Sequence, residues 1–340
     1  MLFSVIIIAH KISKSLLCSC LQSIEQQSFQ DFECLLICDD SSADGLPLFK
    51  KVKIEHVDIC EIGVKRNYGI QRAKGEYVVF VDSDDLLAQN CLLILSQTIQ
   101  TIRPDFIAFG STTDYSAFDN LSIPKTPTVI SAQEMQKHIL EASFSVQNPL
   151  GRNNCFTGAV WGKAFQTKIL LKYNIKVPVF DYYFEDGVFV TDYVLHCSEK
   201  CVVLDDYIGY YWRPNMSSVI HAGGKPLANF DLFFDASVAM FLRNGWSDQQ
   251  IVEVKNVMAH RLLVLIYPAL IHQYEGKLKL NVTRSFVSNV GKTKTLRSMT
   301  KDLSQNKFEK FIYFFLKHRM FLMMSLFLIL FRHHVKNKSI

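Results

Sequence analysis

Asp82-Ser83-Asp84-Asp85 follows directly on the apolar run Tyr77 to Val81, and this junction is the part of the chain best suited to chemistry. A strand apolar on both faces suits the buried centre of a mostly parallel sheet. Open α/β sheets take ligands in the crevice beyond the carboxyl ends of their strands. Aspartates two apart in a turn at that position can hold a divalent cation against a ligand phosphate. The same residues also read as a loop that caps a following helix, expected from Leu86 to about Thr101, because Asp and Ser are common N-caps.

Alternating strands and helices must position this turn. Phe3 to Ala9 reads as a first strand, and Ser13 can cap a helix whose Leu17, Cys20, Leu21 and Ile24 repeat at helical spacing. Phe32 to Cys38 reads as a second buried strand that ends in another acidic turn, Asp39-Asp40-Ser41-Ser42-Ala43-Asp44. Ile54 to Val57 gives a third strand, and Gly63 to Ala73 a helix carrying Lys65, Arg66 and Asn67 near its start. Such alternation predicts a doubly wound parallel sheet, with both acidic turns opening on one edge.

At this point the chain resembles the family-2 glycosyltransferases of the GT-A fold. The resemblance is carried by Ser4-Val5-Ile6-Ile7, the first acidic turn, Lys65-Arg66-Asn67-Tyr68-Gly69, Ala73-Lys74-Gly75-Glu76-Tyr77 and Asp82-Ser83-Asp84-Asp85, in order and spacing. It continues through Ala159-Val160-Trp161-Gly162-Lys163, Tyr183-Phe184-Glu185-Asp186-Gly187-Val188-Phe189, and Tyr210-Tyr211-Trp212-Arg213 with Ser217-Ser218. It implies a Rossmann-like sheet flanked by helices, and a nucleotide-sugar half over 1–108 that binds a UDP-sugar. Within that half, Asp40 reads the uracil, Arg66 and Asn67 lie beside the nucleotide, and Asp82 and Asp84 meet ribose and metal. The acceptor half is implied over 109–225, with Asp186 as general base. The departures are Ile8-Ala9-His10-Lys11 in place of Pro-Val-Tyr-Asn, and Ser41 in place of a glycine.

Sugar transfer from a nucleotide to a hydroxyl needs a cation on the departing diphosphate, a base on the attacking hydroxyl, and positioning of both. Asp84 suits the first role and Asp186 the second, and a base opposite the leaving group implies inversion at the anomeric carbon. Glu185 reads as an orienting neighbour. Arg213 can contact the diphosphate, since guanidinium matches phosphate oxygens, or form a salt bridge inside the fold. His221, before Ala222-Gly223-Gly224, can be a further ligand to Mn²⁺ or Mg²⁺, or a plain loop residue. A nucleotidyltransferase, or a nucleotide-sugar-binding subunit without turnover, are the alternatives; the Glu-Asp motif and the acceptor segment argue against the first.

Composition agrees. At 340 residues and 49% hydrophobic the chain can bury a large core with an appendage. The nine scattered cysteines indicate neither a disulfide framework nor a zinc site, and Met1 to His10 lacks a cationic start, so a cytoplasmic enzyme is expected. Residues 301–340 carry a net +6 and the remainder −1, which leaves no basic stripe for nucleic acid on the folded domain. Residues 226–300 read as a helical extension, with helices over Asp231 to Leu242 and Asp248 to Tyr267 broken near Asn244-Gly245-Trp246 and at Pro268. The tail from 301 to 340 brackets Phe308 to Leu316 and Met320 to Phe331 with Lys and Arg. The second run is short of the about 20 apolar residues that span a bilayer. It is expected to lie peripherally on an anionic membrane surface, or else to pack on the enzyme or across a dimer of a homo-oligomer. The expected acceptor is a glycan or lipid-linked hydroxyl in bacterial surface polysaccharide or lipooligosaccharide synthesis.

Overall fold

The computed structural model describes residues 1–39, 41–119, 126–144, 152–180, 184–214, 230–273 and 278–336. In the first part of the chain β1 (Phe3–Ala9), α1 (Lys14–Glu25), β2 (Phe32–Cys38), β3 (Val52–His56), α2 (Ile62–Arg72) and β4 (Tyr77–Asp82) alternate as expected. They are followed by β5 (Leu86–Leu87), α3 (Cys91–Ile102), β6 (Phe106–Thr112), α4 (Tyr115–Asp119), β7 (Thr128–Ser131) and α5 (Ala132–Phe144). Then come β8 (Lys163–Gln166), α6 (Thr167–Lys172), α7 (Glu185–Leu195) and β9 (Lys200–Tyr211). The strands form one sheet in the order β3-β2-β1-β4-β8-β6-β9-β5, with β7 on β9.

β1 and β4 are apolar throughout because both of their faces are covered. Val5, Ile7, Val79 and Val81 enter one core with Leu17, Cys20, Leu21 and Ile24 of α1, whereas Ile6, Val78 and Phe80 enter another with Ile70 of α2 and Phe189 and Tyr193 of α7. Ser13 caps α1 by accepting from Leu16 N at 3.4 Å. Gly75 lets β4 enter beside β1: a Cβ there would lie 2.3 Å from Ser4 N, and its own N–H donates to Ser4 Oγ at 2.8 Å.

Parallel pairing, as expected from the sequence, joins β1 to β4 and recurs between β6 and β9. β8 inserts antiparallel between β4 and β6, and β5 and β7 run antiparallel to β9, so the whole sheet is mixed. The helix expected from Leu86 starts at Cys91 instead, because Leu86 and Leu87 pair with Tyr211 and Tyr210 of β9.

The chain divides into two compact units, one of 1–143 with 147–216 and one of 144–146 with 217–340. The second contains α8 (Phe230–Arg243), α9 (Asp248–Gln273), α10 (Leu280–Val290), α11 (Lys294–Arg297), α12 (Lys307–Lys317) and α13 (Phe321–Lys336). α8 stops at the expected place, where Gly245 takes a φ of 76°. α9, however, runs through Pro268. The roughly 3 kcal/mol that proline costs inside a helix is offset by burial of Ile266, Ala269 and Leu270 around it, at about 1.5–3 kcal/mol for each large side chain. By length and composition Asp248–Ile271 is the one described helix that could cross a membrane, and half of it is buried inside the unit.

Candidate active site

α2 lies across β1, so closely that a Cβ on Gly69 would meet Ile6 Cγ2 at 2.7 Å. From that position successive residues of its first turns reach to either side of β1. Lys65, fully buried, pairs at 2.9 Å with Asp39 at the end of β2, and Asp39 also takes His10 Nδ1 at 2.9 Å. Burial alone would raise the Asp39 carboxyl, but Lys65 and His10 outweigh it and lower it. Arg66 turns the other way, toward Asp82 at the end of β4, at 3.3 Å.

Arg66 also meets the start of α7. Phe184, just before that helix, adopts a left-handed φ of 77°, and the turn presents Glu185 and Asp186 at the helix N-terminus, where the helix dipole favours carboxylates. Arg66 donates to Asp186 Oδ1 and lies 3.7 Å from Glu185, while Asp186 Oδ2 accepts from Val160 N at 3.3 Å. One buried guanidinium thus joins three carboxylates supplied by two distant parts of the chain. Burial by itself would lower Arg66; Asp186, Asp82 and Glu185 reverse that and raise it. Burial pushes Glu185 up to about 7, with the Asp186 charge adding to it, and Asp82 up to about 6 against the pull of Arg66.

The second acidic turn is organised from β9. Tyr210 Oη accepts from Asp82 N at 3.1 Å and donates to Asp85 Oδ2 at 2.6 Å, while Asp85 Oδ1 takes Arg213 N at 2.8 Å. Burial, helped by the Asp82 charge, lifts Asp85 to about 8. Arg213 Nε donates to the Asp84 carbonyl at 2.8 Å, so its side chain braces the turn through a backbone hydrogen bond, which is neither the diphosphate contact nor the salt bridge expected from sequence. Asn67 exchanges two 2.8 Å bonds with the backbone of Val177. It fastens α2 to that segment, and its amide is occupied there. Asp40 and His221 lie outside the described residues.

Sequence reading overlooked Lys65, Asp85, Tyr210 and Lys163 as parts of the site. The buried Lys163 donates to Thr157 Oγ1 at 3.0 Å and Trp161 O at 3.2 Å, closing the loop that offers Val160 N to Asp186, and burial pushes it down to about 7. For Lys163 the available signal was a lysine on the otherwise apolar stretch from Ala159 to Phe165.

Residues 4–161 match the profile of Glycosyl transferase family 2. The chain carries a family 2 glycosyl transferase domain. It is 29% identical over 208 residues to a cholesterol galactosyltransferase of Borreliella burgdorferi, covering 57% of this chain and 56% of that one. It is 27% identical over 192 residues to the poly(ribitol-phosphate) beta-N-acetylglucosaminyltransferase TarP of Staphylococcus aureus, covering 53% of each. The chain therefore spans little more than half the length of either relative. In fold it is similar to S. aureus TarS 1-349 in complex with UDP-GlcNAc, with a TM-score of 0.59 and 18% identity over 86% of this chain and 83% of that one. The family 2 domain here has the GT-A fold.

Among the described residues no group of three His, Cys, Asp or Glu side chains forms a ready-made metal cage. Asp82 is engaged by Arg66, and both Asp85 oxygens are engaged by Tyr210 and Arg213. The half-buried Asp84 stands between them at the carboxyl end of β4. A hard cation that takes one or two carboxylates and completes its shell with phosphate oxygens and water fits such a turn.

Proposed function

We propose that the protein is a metal-dependent, inverting glycosyltransferase that moves a sugar from a UDP-sugar to a hydroxyl of a glycan or lipid-linked acceptor in bacterial surface-glycan synthesis. The observation that carries this reading is the shared guanidinium: Arg66 ties the base candidate Asp186 to Asp82 of the nucleotide turn, so the two motifs meet at one side chain. Asp186 would take the proton of the acceptor hydroxyl. The acceptor oxygen then bonds to the anomeric carbon as the bond to the UDP phosphate breaks, with inversion. Asp40 would read the uracil and Asp82 the ribose, while Arg66 fixes both carboxylates and Arg213 fixes the turn. Asp84, with His221, would hold Mn²⁺ or Mg²⁺, whose positive charge stabilises the departing diphosphate. That TarS binds UDP-GlcNAc and UDP supports a uridine donor.

Asp84→Asn tests the metal assignment without relying on turnover. UDP with Mn²⁺ should raise the melting temperature of the parent protein, since a ligand that binds only the folded state stabilises it. In the variant the Mn²⁺-dependent part of that shift should vanish while the unliganded melting temperature stays put. An undiminished Mn²⁺ effect would remove Asp84 from the metal site.

The same reading places the enzyme at the cytoplasmic membrane face. The inner faces of α12 and α13 bury Ile312, Met324 and Leu328 within the helical unit, so the tail packs on the protein. Its outer face still exposes Phe311, Phe314, Leu322, Met323, Leu326 and Leu330, beside the exposed Lys310, Lys317 and Arg319. Apolar groups flanked by cations suit the interface of an anionic bilayer, each Lys or Arg adding about 1 kcal/mol near the surface. Replacing Leu326 and Leu330 by Glu should cut co-sedimentation with phosphatidylserine vesicles at least about tenfold, since each leucine contributes on the order of 1.5 kcal/mol or more on burial. Binding that resists both the substitutions and high salt would rule this surface out.

A further inference from the structure

An aromatic stack connects the two acid clusters. The Trp161 ring stacks on Tyr210, centroids 5.0 Å apart and planes 10° apart, and on Trp212 at 6.1 Å and 27°. Tyr210 is fully buried and fixed through its hydroxyl to Asp82 and Asp85, and Trp161 is half-buried, whereas Trp212 leaves 39% of its surface exposed. Strand β9 therefore leads into a large indole that is backed by Trp161 and partly open to solvent. The chain on either side of the stack leads to the acids. Val160, which donates to Asp186, precedes Trp161 in the chain, and Arg213, which braces Asp84 and Asp85, follows Trp212.

A flat aromatic face beside hydrogen-bonding carboxylates matches one kind of ligand well. A pyranose ring presents a patch of C–H bonds on one face and hydroxyls around its rim, so it can lie on an indole, whose face is negative, while its hydroxyls find polar partners. A sterol would cover the indole but bring a single hydroxyl, with no polar rim to meet the groups around it. An acyclic polyol phosphate would bring a second anion to a turn already rich in carboxylates. We propose that Trp212, backed by Trp161, is the platform for the terminal pyranose of the acceptor, which makes the acceptor a glycan. This rests on the glycosyltransferase reading above. The acceptor, and not the donor sugar, is assigned here because the loop carrying Trp161 is the one that holds the second oxygen of the base Asp186.

Calorimetric titration of the full chain, saturated with UDP and Mn²⁺, against p-nitrophenyl glucopyranosides and galactopyranosides, a ribitol phosphate and micellar cholesterol tests the assignment. At least one pyranoside should bind. Trp212→Ala should weaken that binding about tenfold, as expected for loss of an aromatic contact, with the affinity for UDP unchanged and Trp212→Tyr restoring most of it. In transfer assays the same loss should fall on KM for the glycoside and leave kcat within a few-fold. Binding confined to the sterol or the polyol phosphate, or pyranoside affinity indifferent to Trp212, would overturn the platform while UDP binding continued to support the donor site. Failure of the parent protein to bind UDP would instead remove the donor reading, and this proposal with it.

Discussion

Asp186→Asn is expected to lower kcat at least about 100-fold with UDP affinity nearly unchanged, the low end of what loss of a general base costs. The substitution is close to isosteric. The carbonyl of the introduced amide can still accept from Val160 N or from Arg66, so the start of α7 and the loop behind it keep their places. What the amide cannot do is take a proton from an attacking hydroxyl. Steady-state kinetics with saturating donor, beside a UDP titration, separates the two effects. A parallel fall in UDP affinity would move Asp186 into the nucleotide site, and a kcat within a few-fold of the parent would end its assignment as the base.

Arg66→Met should be the most damaging change to stability, at about 3 kcal/mol, the lower end of the cost of leaving buried charge without its partner. The lower end applies because the Asp82 side chain remains 38% exposed and water can replace part of the lost contact, whereas those of Asp186 and Glu185 are 22% and 16% exposed. Urea unfolding at neutral pH would read the loss as a lower midpoint at constant slope. The deficit should also depend on pH, in a direction set by burial. Asp82 and Glu185 are raised to about 6 and about 7, so the folded protein binds these protons more tightly than the unfolded chain does. As pH falls through 7 and then 6 they become neutral in the folded state first, and neutral carboxyls need no cation. The difference between parent and variant should therefore be largest above pH 7 and shrink toward pH 5. A variant as stable as the parent at pH 8 would show that water already solvates the cluster. Arg66→Lys keeps the charge but lacks the fork that spans Asp82 and Asp186, so it should recover only part of the loss.

The amino-acid sequence determined the elements and the set of chemical groups. Strands β1, β2 and β4 were legible because burial on both faces demands continuous apolar runs, and α1 because Ser13 and four apolar residues at helical spacing leave one solution. The order of the acidic turns along parallel strands fixed that they share an edge, since parallel strands end on the same side. Tertiary structure decided which of the charged groups meet. Neighbours in sequence diverge by about 100° on a helix, so Lys65 and Arg66 go to different strands and Asn67 to the Val177 backbone, choices that depend on what stands opposite. Arg213 is drawn to a carbonyl and Asp85 to a tyrosine 125 residues away for the same reason. The antiparallel β8 and the passage of α9 through Pro268 also escape local patterns, because the energy that selects them is burial against distant residues. Likewise, hydrophobicity along 308–331 could not say which face of the tail is spent on the protein; only the packing of Ile312, Met324 and Leu328 against the rest of the unit divides it into a buried side and an exposed one.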